Sequence, residues 1–297
     1  MPTDVIDLQT GKVTKNVIQM KTQKQQDKDI EYIKILKRKK ELYDEIKYHC
    51  GGFFFYKYND LTELLGGNTA AAFRFVYLCA CADKEGYIIA FGKQPCQTRD
   101  DFTYIFDRPL TSTRKYVDEL REYDLIIKDN KGFKINSNYF TYNIQDDDFK
   151  KNSARTFNTA IKDLYNNSSP KEHSIIGQLL RLVKYINIYN NILCWNIDKA
   201  NTKYIQPLTA EEIRHILCPN STYKYELLNK LEHIMVRGEP VLAKFESIGE
   251  MHYIINPRLF YRGNDPTDFK KIIDQFDSTK HQYLETQKLK KMVKGGI

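Results

Sequence analysis

Two stretches of this chain have a similar pattern, and this internal repeat constrains the fold more than any other feature of the sequence. Residues 110–140 read LTSTRKYVDELREYDLIIKDNKGFKINSNYF, and residues 208–260 begin with LTAEEIRHILC and end with HYIINPRLF. Each stretch contains a helical pattern, then two apolar strands around a turn, then Asn-x-x-x-Phe. A chain of 297 residues can bury two cores, because single cores stop growing at roughly 250–300 residues. The repeat therefore predicts two similar folded units.

The first unit, residues 51–150, has an order of elements that is typical of a winged helix-turn-helix. Apolar periodicity predicts a helix at residues 70–82 and a strand at residues 87–91, followed by a second helix, a break and a third helix at residues 111–123. The segment LIIKDNKGFKIN then predicts a hairpin, which forms the wing. In this fold the third helix lies across the second, so its outer face near the N-terminus can enter the major groove of DNA.

The third helix and the wing supply candidate DNA contacts. If Thr113, Val117 and Leu120 face the core, the polar residues between them face outward. Arginine can read guanine with two hydrogen bonds, serine and threonine can hold phosphate, and the lysines of the wing can lie over the DNA backbone. We predict that the DNA contacts of the first unit are Thr111, Ser112, Arg114, Lys115, Lys128, Lys131 and Lys134.

The second unit, residues 151–263, repeats this order with a longer wing. Its third helix is predicted at residues 223–234, and the candidate contacts at and near the start of this helix are Thr222, Tyr223, Lys224, Tyr225 and Asn229. This segment has more tyrosines and fewer cations than its counterpart, and tyrosines can pack against a protein partner as readily as against DNA. The first unit is therefore the stronger candidate for reading DNA.

Two flanking segments and a linker complete the predicted organisation. Residues 1–50 are expected to form a hairpin and a basic helical extension, with flexible chain at residues 21–28. Residues 264–297 are expected to form a basic C-terminal helix, and the polar residues 146–153 to link the two units. The sequence thus predicts a helix-rich α+β fold with two tandem winged helix-turn-helix domains, an N-terminal extension and a C-terminal helix.

Charge and hydropathy narrow the classes of partner. The net charge of +8 and the isoelectric point of about 8.9 favour a polyanionic partner. No apolar run approaches the roughly 18 residues of a membrane-spanning helix, and the N-terminal residues lack the apolar core of a signal peptide. We therefore expect a cytoplasmic protein with no membrane partner.

No catalytic, cofactor or metal site is expected. The six cysteines contain no C-x-x-C pair, and Cys79-Ala80-Cys81 lies in an apolar run, which favours reduced, buried thiols over a metal site. The six histidines are isolated, and the chain has no G-x-x-x-x-G-K-[ST] motif to bind nucleotide phosphates. A nuclease or an ATPase is therefore not expected.

Two motifs resemble those of a known protein family. The segment GEMHYIINPRLFYRG at residues 249–263 resembles the end of the winged-helix domain in the small replication proteins of Gram-positive plasmids and related phages. The segment DLQTGKV at residues 7–13 is similar to a T-G-E-V stretch near the N-terminus of those proteins. The resemblance implies origin recognition or replication control, although this chain is longer and duplicated. Paired winged helices also occur in the plasmid initiators that bind iterated repeats, a similarity of architecture alone.

Three functions remain open on the sequence. The first is a sequence-specific double-stranded DNA-binding protein that acts as a plasmid or phage replication initiator and recognises origin repeats. The second is a transcriptional regulator such as a repressor, which would use the same fold and charge. The third is a protein-interaction adaptor. The partners expected for the first function are double-stranded DNA, a second copy of the chain in a homodimer, and host replication proteins.

Overall fold

The computed structural model describes residues 3–6, 13–17, 23–58, 61–90, 94–144, 146–218, 224–247, 250–263 and 265–279. For residues 3–6, 13–17, 23, 224, 225 and 247 only the backbone is described. The fold is α+β, with many helices and small antiparallel sheets, so this part of the prediction is confirmed. Two compact units, Met1–Glu45 and Ile46–Ile297, divide the chain.

The first compact unit contains a two-stranded hairpin and most of one long helix. β1 (Thr3–Ile6) pairs antiparallel with β2 (Val13–Val17), and α1 (Gln23–Cys50) has 28 residues. The sequence predicts flexible chain at residues 21–28, whereas residues 23–28 are helical. Lysine and glutamine, which dominate this stretch, are good helix formers, so a polar sequence can extend the helix that follows it.

The second compact unit contains two halves of similar order, and we call residues 51–144 the first half and residues 146–263 the second half. The helices and strands are β3 (Phe53–Lys57), α2 (Leu61–Leu64), α3 (Thr69–Cys81), α4 (Thr103–Phe106), α5 (Leu110–Glu122), β4 (Ile126–Asp129), β5 (Gly132–Ile135), β6 (Phe140–Thr141), α6 (Asp147–Lys151), β7 (Ser153–Phe157), α7 (Asn158–Asn166), α8 (Glu172–Leu179), α9 (Ala210–Leu217), α10 (Lys224–His233), β8 (Met235–Val236), β9 (Glu239–Pro240), β10 (Leu242–Ser247), β11 (Glu250–Ile255), β12 (Phe260–Tyr261) and α11 (residues 266–279). Short 3-10 turns occupy Arg99–Phe102, Leu180–Tyr185 and Thr202–Tyr204.

A four-stranded sheet with the order β12-β7-β3-β6 joins the two halves. Its inner strands β3 and β7 are antiparallel, and Phe55 lies opposite Arg155. On the outer sides, Phe55 also faces Thr141 of β6, and Arg155 also faces Tyr261 of β12. Each half thus supplies one inner and one outer strand in the same way. The two halves are therefore related by an approximate two-fold axis at the Phe55–Arg155 pair.

In the first half, a capped apolar helix is followed by a break between two further helices. α3 begins after Asn68, whose side chain accepts a hydrogen bond from the Ala71 amide at 3.1 Å, and most of its residues are buried. α4 is followed by Asp107, which adopts a left-handed conformation with φ 47°, and Pro109 directly precedes α5. Proline is tolerated at a helix start because the first amides of a helix have no partner within it. The break between α4 and α5 lies where the sequence predicts it.

A short extended segment lies beside the hairpin in each half. In the first half, the Ile88 amide donates to the Phe133 carbonyl at 2.9 Å, which places residues 87–89 beside β5. In the second half, the Leu193 amide donates to the Tyr253 carbonyl at 2.8 Å, next to β11. The hairpin therefore packs on the preceding part of its own half through equivalent backbone hydrogen bonds.

The Asn-x-x-x-Phe motif makes the same turn in both halves. The Nδ2 atom of Asn136 donates to the Asp124 carbonyl at 2.8 Å, and the Nδ2 atom of Asn256 donates to the Pro240 carbonyl at 3.2 Å. Each side-chain oxygen accepts from the amide two residues further on, at 3.0 and 2.9 Å respectively. The phenylalanine that ends each motif then begins β6 or β12. The asparagine thus directs the chain from the hairpin into the shared sheet.

We expect Asn136→Ala and Asn256→Ala each to lower the free energy of unfolding by about 1–3 kcal/mol, because each change leaves buried backbone groups without a hydrogen bond. Both asparagines are buried, at 8% and 0% exposure. Chemical denaturation of the purified variants measures the effect. The exposed Asn138 provides a control, and Asn138→Ala should stay within about 0.5 kcal/mol of the unmodified chain. Unchanged stability in both motif variants would contradict the assigned role.

The residues between the two halves belong to regular structure. The carboxylate of Asp146 accepts hydrogen bonds from the amides of Asp148 and Phe149 and so caps α6. Ser153 then begins β7, and all five residues of that strand are buried. Residues 146–153, which the sequence predicts as a linker, therefore lead through a capped helix directly into an inner strand of the shared sheet.

The helices α3 and α8 bring the two halves into close contact. The Oγ1 atom of Thr69 donates to the Ser174 carbonyl at 2.9 Å, and Gly177 packs directly on the backbone of α3. A Cβ atom at Gly177 would overlap the carbonyl carbon and oxygen of Thr69. Among the described residues, one continuous cluster of buried apolar side chains extends through both halves. The halves are therefore held together by a shared core as well as by the shared sheet.

Candidate nucleic-acid interface

α5 turns one face to the core and the opposite face to solvent. Thr113, Val117 and Leu120 are at most 2% exposed and lie on one helical face. Tyr116 is buried as well, and its hydroxyl donates to the Ala71 carbonyl at 2.8 Å. The candidate DNA contacts on this helix are all exposed, namely Thr111, Ser112, Arg114 and Lys115.

The N-terminus of α5 has no side-chain cap. Pro109 precedes the helix, no side chain accepts from its first amides, and its first turn contains no acidic residue. The Ser112 hydroxyl donates to the Pro109 carbonyl at 2.8 Å. The partial positive charge of the first amides is therefore not neutralised by an acidic group on the helix itself. Such a helix end favours an anion, and phosphate groups are common partners there.

Two arginine–aspartate pairs connect α5 with the 3-10 turn Arg99–Phe102. Arg114 donates from Nε to Asp100 Oδ1 and from Nη2 to Asp100 Oδ2, both at 2.5 Å. The Nη1 atom of Arg99 lies 2.5 Å from Asp118 Oδ2, and all four side chains are nearly half exposed. The hydrogen bonds from Arg114 hold the pKa of Asp100 below its ordinary value, so this carboxylate is ionised at neutral pH.

The helical period of α5 predicts that Arg114 faces outward, but it does not predict a partner from another element. The only signal for that partner in the sequence is the run Arg99-Asp100-Asp101 just before the second helix. Acidic residues are common at helix starts because they stabilise the first turn, so this run did not indicate a contact with Arg114.

The β4–β5 hairpin holds three of the candidate lysines against aromatic rings, and the Lys131 Nζ atom lies 5.6 Å from the centre of the Tyr87 ring. The Lys128 Nζ atom lies 5.3 Å from the centre of the Phe133 ring, and the Lys134 Nζ atom lies 5.1 Å from the centre of the Tyr87 ring. Lys128 is exposed, whereas Lys134 is half-buried. Contacts of this kind cover the aliphatic part of lysine and keep the ammonium group near the surface. The hairpin therefore presents lysine ammonium groups near its surface.

The tip of the hairpin is held in a fixed turn. Asp129 Oδ1 accepts from the amides of Lys131 and Gly132 at 2.8 and 3.2 Å, and Asp129 Oδ2 accepts from the Tyr87 hydroxyl at 2.8 Å. The hydrogen bond from Tyr87 lowers the pKa of Asp129, so the carboxylate that holds the turn is ionised at neutral pH. The Lys131 side chain is 69% exposed, and its Nζ atom lies 3.6 Å from Glu85 Oε2. This ion pair is open to solvent and can exchange with an external anion.

In the second half, the structure describes only part of the candidate surface. Asn229 lies on α10 and is exposed. Thr222 and Tyr223 lie outside the described residues, and for Lys224 and Tyr225 the side chains do as well. On the described part of α10, Glu226 Oε2 pairs with Lys230 Nζ at 3.2 Å, so a nearby acid offsets this cation.

A groove beside α10 carries charges of both signs. It is open, has a volume of about 530 Å³ and is lined by Glu172, Ile175, Glu226, Asn229, Lys230, His233 and Ile234. A DNA backbone requires mainly cations, and this lining does not provide them. The first half therefore has the more basic of the two candidate surfaces in the part of the chain that the structure describes.

In the described residues, no group of three or more His, Cys, Asp or Glu side chains could hold a metal ion. Burial raises the pKa of the Cys50 and Cys96 thiols to about 11 and about 12, so both thiols are neutral at physiological pH. No helix in these parts of the chain combines the length and the apolar character that a bilayer crossing requires. Comparison of the chain with protein families, with curated proteins and with solved structures found no match in any of the three.

Proposed function

We propose that the first half of this chain is a winged helix-turn-helix domain that binds double-stranded DNA. In this proposal α5 enters the major groove and the β4–β5 hairpin lies over the neighbouring backbone. The observation that carries it is the outer face of α5, which has four exposed polar or cationic side chains behind an uncapped N-terminus. The order α3, α4, α5 and hairpin, with residues 87–89 beside β5, supports the same domain type.

The approximate two-fold relation between the halves supports recognition of repeated sites. α5 and α10 occupy equivalent places, since each follows a short helix and precedes a hairpin of its own half. Two-fold DNA-binding proteins read half-sites about one helical turn apart, so a pseudo-symmetric chain can contact two half-sites by itself. Together with the motif resemblance, this favours a cytoplasmic replication initiator that recognises origin repeats of a plasmid or phage. Such an initiator would act with a second copy and with host replication proteins.

The experiment that tests this role is a selection of bound fragments from the DNA of the source replicon. Enrichment of iterated repeats at a replication origin is the result expected for an initiator. Enrichment of a single operator at a promoter would instead favour the second candidate, a transcriptional regulator with the same fold. No enrichment of any duplex would favour the third candidate, a protein-interaction adaptor.

The affinity for DNA should depend steeply on salt. With about four to eight phosphate contacts, the slope of log affinity against log salt should lie between about −3.6 and −7.2, because each neutralised phosphate releases counterions. Fluorescence anisotropy with a labelled duplex, over a series of salt concentrations, measures this slope. A flat response would show that phosphate contacts are absent and would exclude the DNA-binding proposal.

Lys131→Ala should reduce the magnitude of this salt slope by about one and weaken binding to all sequences alike, because Lys131 is expected to contact a phosphate group of the DNA backbone. The matched control is Lys271→Ala on α11. Lys271 is 73% exposed and lies 3.4 Å from Asp268, so the two lysines have similar exposure and one weak ion pair each. The control variant should keep the original slope. Equal slopes in both variants would show that the hairpin tip does not contact phosphate.

A further inference from the structure

We propose that Asp100 is a positioning residue for DNA recognition, which orients Arg114 so that the free edge of its guanidinium group selects guanine at one base position. This inference rests on the proposed function, in which α5 enters the major groove. It goes further than that function in naming guanine as the base that Arg114 contacts and Asp100 as the residue that makes this contact selective.

The geometry of the pair leaves the required donors free. Asp100 accepts from Nε and Nη2 of Arg114, which together form one edge of the guanidinium group. A guanidinium group has five N–H donors, so two on Nη1 and one on Nη2 remain. One N–H from Nη1 and one from Nη2 point in parallel and form a second edge at the end of the side chain. That edge matches the O6 and N7 acceptors of guanine in the major groove.

Asp100 can act as a fixed support because its own backbone is held in place. It lies in the 3-10 turn Arg99–Phe102, and the Thr103 hydroxyl donates to the Asp100 carbonyl at 2.6 Å. The side chain of Phe102, in the same turn, is 0% exposed and anchors the turn in the core. The carboxylate of Asp101 accepts from the amides of the two residues that precede the turn, at 2.7 and 2.9 Å.

The second arginine–aspartate pair links the same turn to the next turn of α5. Arg99 contacts Asp118, which lies one helical turn after Arg114. The turn and the helix are therefore joined at two places, with the arginine on the turn in one pair and on the helix in the other. An arginine side chain has many rotamers, and a partner that restricts them makes the direction of its donors definite.

The proposed role has a signature that differs from simple charge neutralisation. Asp100 is an anion next to a surface that meets phosphate groups, so its removal should raise or preserve the affinity for duplexes without the preferred site. If Asp100 positions Arg114, the same removal should lower the preference for guanine at the base that Arg114 contacts. General affinity and selectivity should thus change in opposite directions.

The test compares binding of a randomised duplex library by the full chain and by three variants, Asp100→Ala, Asp100→Glu and the control Glu122→Ala. In the Asp100→Ala variant we expect the guanine preference at one position to fall roughly 5- to 150-fold, the range for one bidentate base contact. The affinity for non-specific duplex should not fall. Asp100→Glu retains a carboxylate and should restore part of the preference. Glu122→Ala removes an exposed carboxylate from the last turn of α5, away from the turn that carries Asp100, and should leave the motif unchanged.

The double variant Asp100→Ala/Arg114→Ala should show no further loss of guanine preference beyond Arg114→Ala alone, because the two residues act as one unit. An unchanged motif in the Asp100→Ala variant, together with normal binding by the original chain, would overturn the positioning role and leave the proposed function intact. Absence of salt-dependent duplex binding by the original chain would overturn both. Thermal unfolding of each variant checks that the exposed substitutions leave the fold unchanged.

Discussion

Arg114→Ala is expected to lower the affinity for the preferred duplex roughly 5- to 150-fold and to relax base preference at one position, as the loss of one bidentate base contact does. Arg114 is exposed near the N-terminus of α5, and its Nη1 edge is not used by Asp100. Because the side chain is not part of the core, the variant should fold normally. Anisotropy on the selected duplex and a randomised library measure affinity and preference separately.

The matched control for Arg114→Ala is Arg121→Ala. Arg121 is exposed on the last turn of the same helix. The control therefore removes the same charge from the C-terminal end of α5, whereas the N-terminal end is the one expected to enter the groove. It should weaken binding only through the change in overall charge and leave the motif unaltered. If Arg114→Ala kept both full affinity and the original motif, the recognition surface would lie elsewhere, and α10 around Asn229 would be the next candidate.

Gly177→Ala is expected to destabilise the chain by about 3 kcal/mol, near the upper end of the usual cost of overpacking. The added methyl group would overlap the carbonyl of Thr69, and a backbone group cannot move aside without shifting α3 against α8. Because these helices connect the two halves through one core, the loss should affect the whole second compact unit. Denaturation followed by circular dichroism and by tyrosine fluorescence should therefore give a single transition at a lower denaturant concentration.

Gly52→Ala provides the matched control. A Cβ atom at Gly52 meets only the Asn158 Nδ2 atom at 3.7 Å, an ordinary van der Waals distance. This variant should stay within about 0.5 kcal/mol of the original stability. If Gly177→Ala split the unfolding into two separate transitions, the halves would be independently stable domains. If it had no effect, the close packing of α3 on α8 would be refuted.

The sequence by itself determined the local structure of the candidate site. The break at Asp107-Arg108-Pro109 separates two helices because Pro109 lacks an amide donor and Asp107 adopts a left-handed conformation. The period of Thr113, Val117 and Leu120 decides which face of α5 is buried, and hence that Arg114 faces outward. Such features depend on residues close together in the chain, so a single sequence is sufficient to predict them.

The repeated asparagine turns were predictable for a related reason. Asn136 and Asn256 form hydrogen bonds with backbone groups within their own hairpin regions, and the same pattern of residues therefore makes the same turn twice. The pattern indicated two similar halves. It did not indicate how one half contacts the other.

Only the tertiary structure decided the relation between the halves. The alternation of a short strand shows which side chains are buried but not which strand it pairs with, so the pairing of Phe55 with Arg155 could not be read from the pattern. The polar residues 146–153 are typical of a linker. They nevertheless lead into an inner strand, because β7 pairs with β3 of the other half. Gly177 likewise has an ordinary place in a helical pattern, and its contact with Thr69 exists only because α8 packs on α3.

The same distinction applies within the candidate site. The sequence determined that Arg114 is on the surface, because helical periodicity is local. The tertiary structure decided that Arg114 is paired with Asp100, since that contact requires α5 to cross the turn that carries the aspartate. Asp100 and Arg114 are fourteen residues apart in the chain, and they form an ion pair only because α5 packs on the turn that carries Asp100. That packing depends on the whole fold.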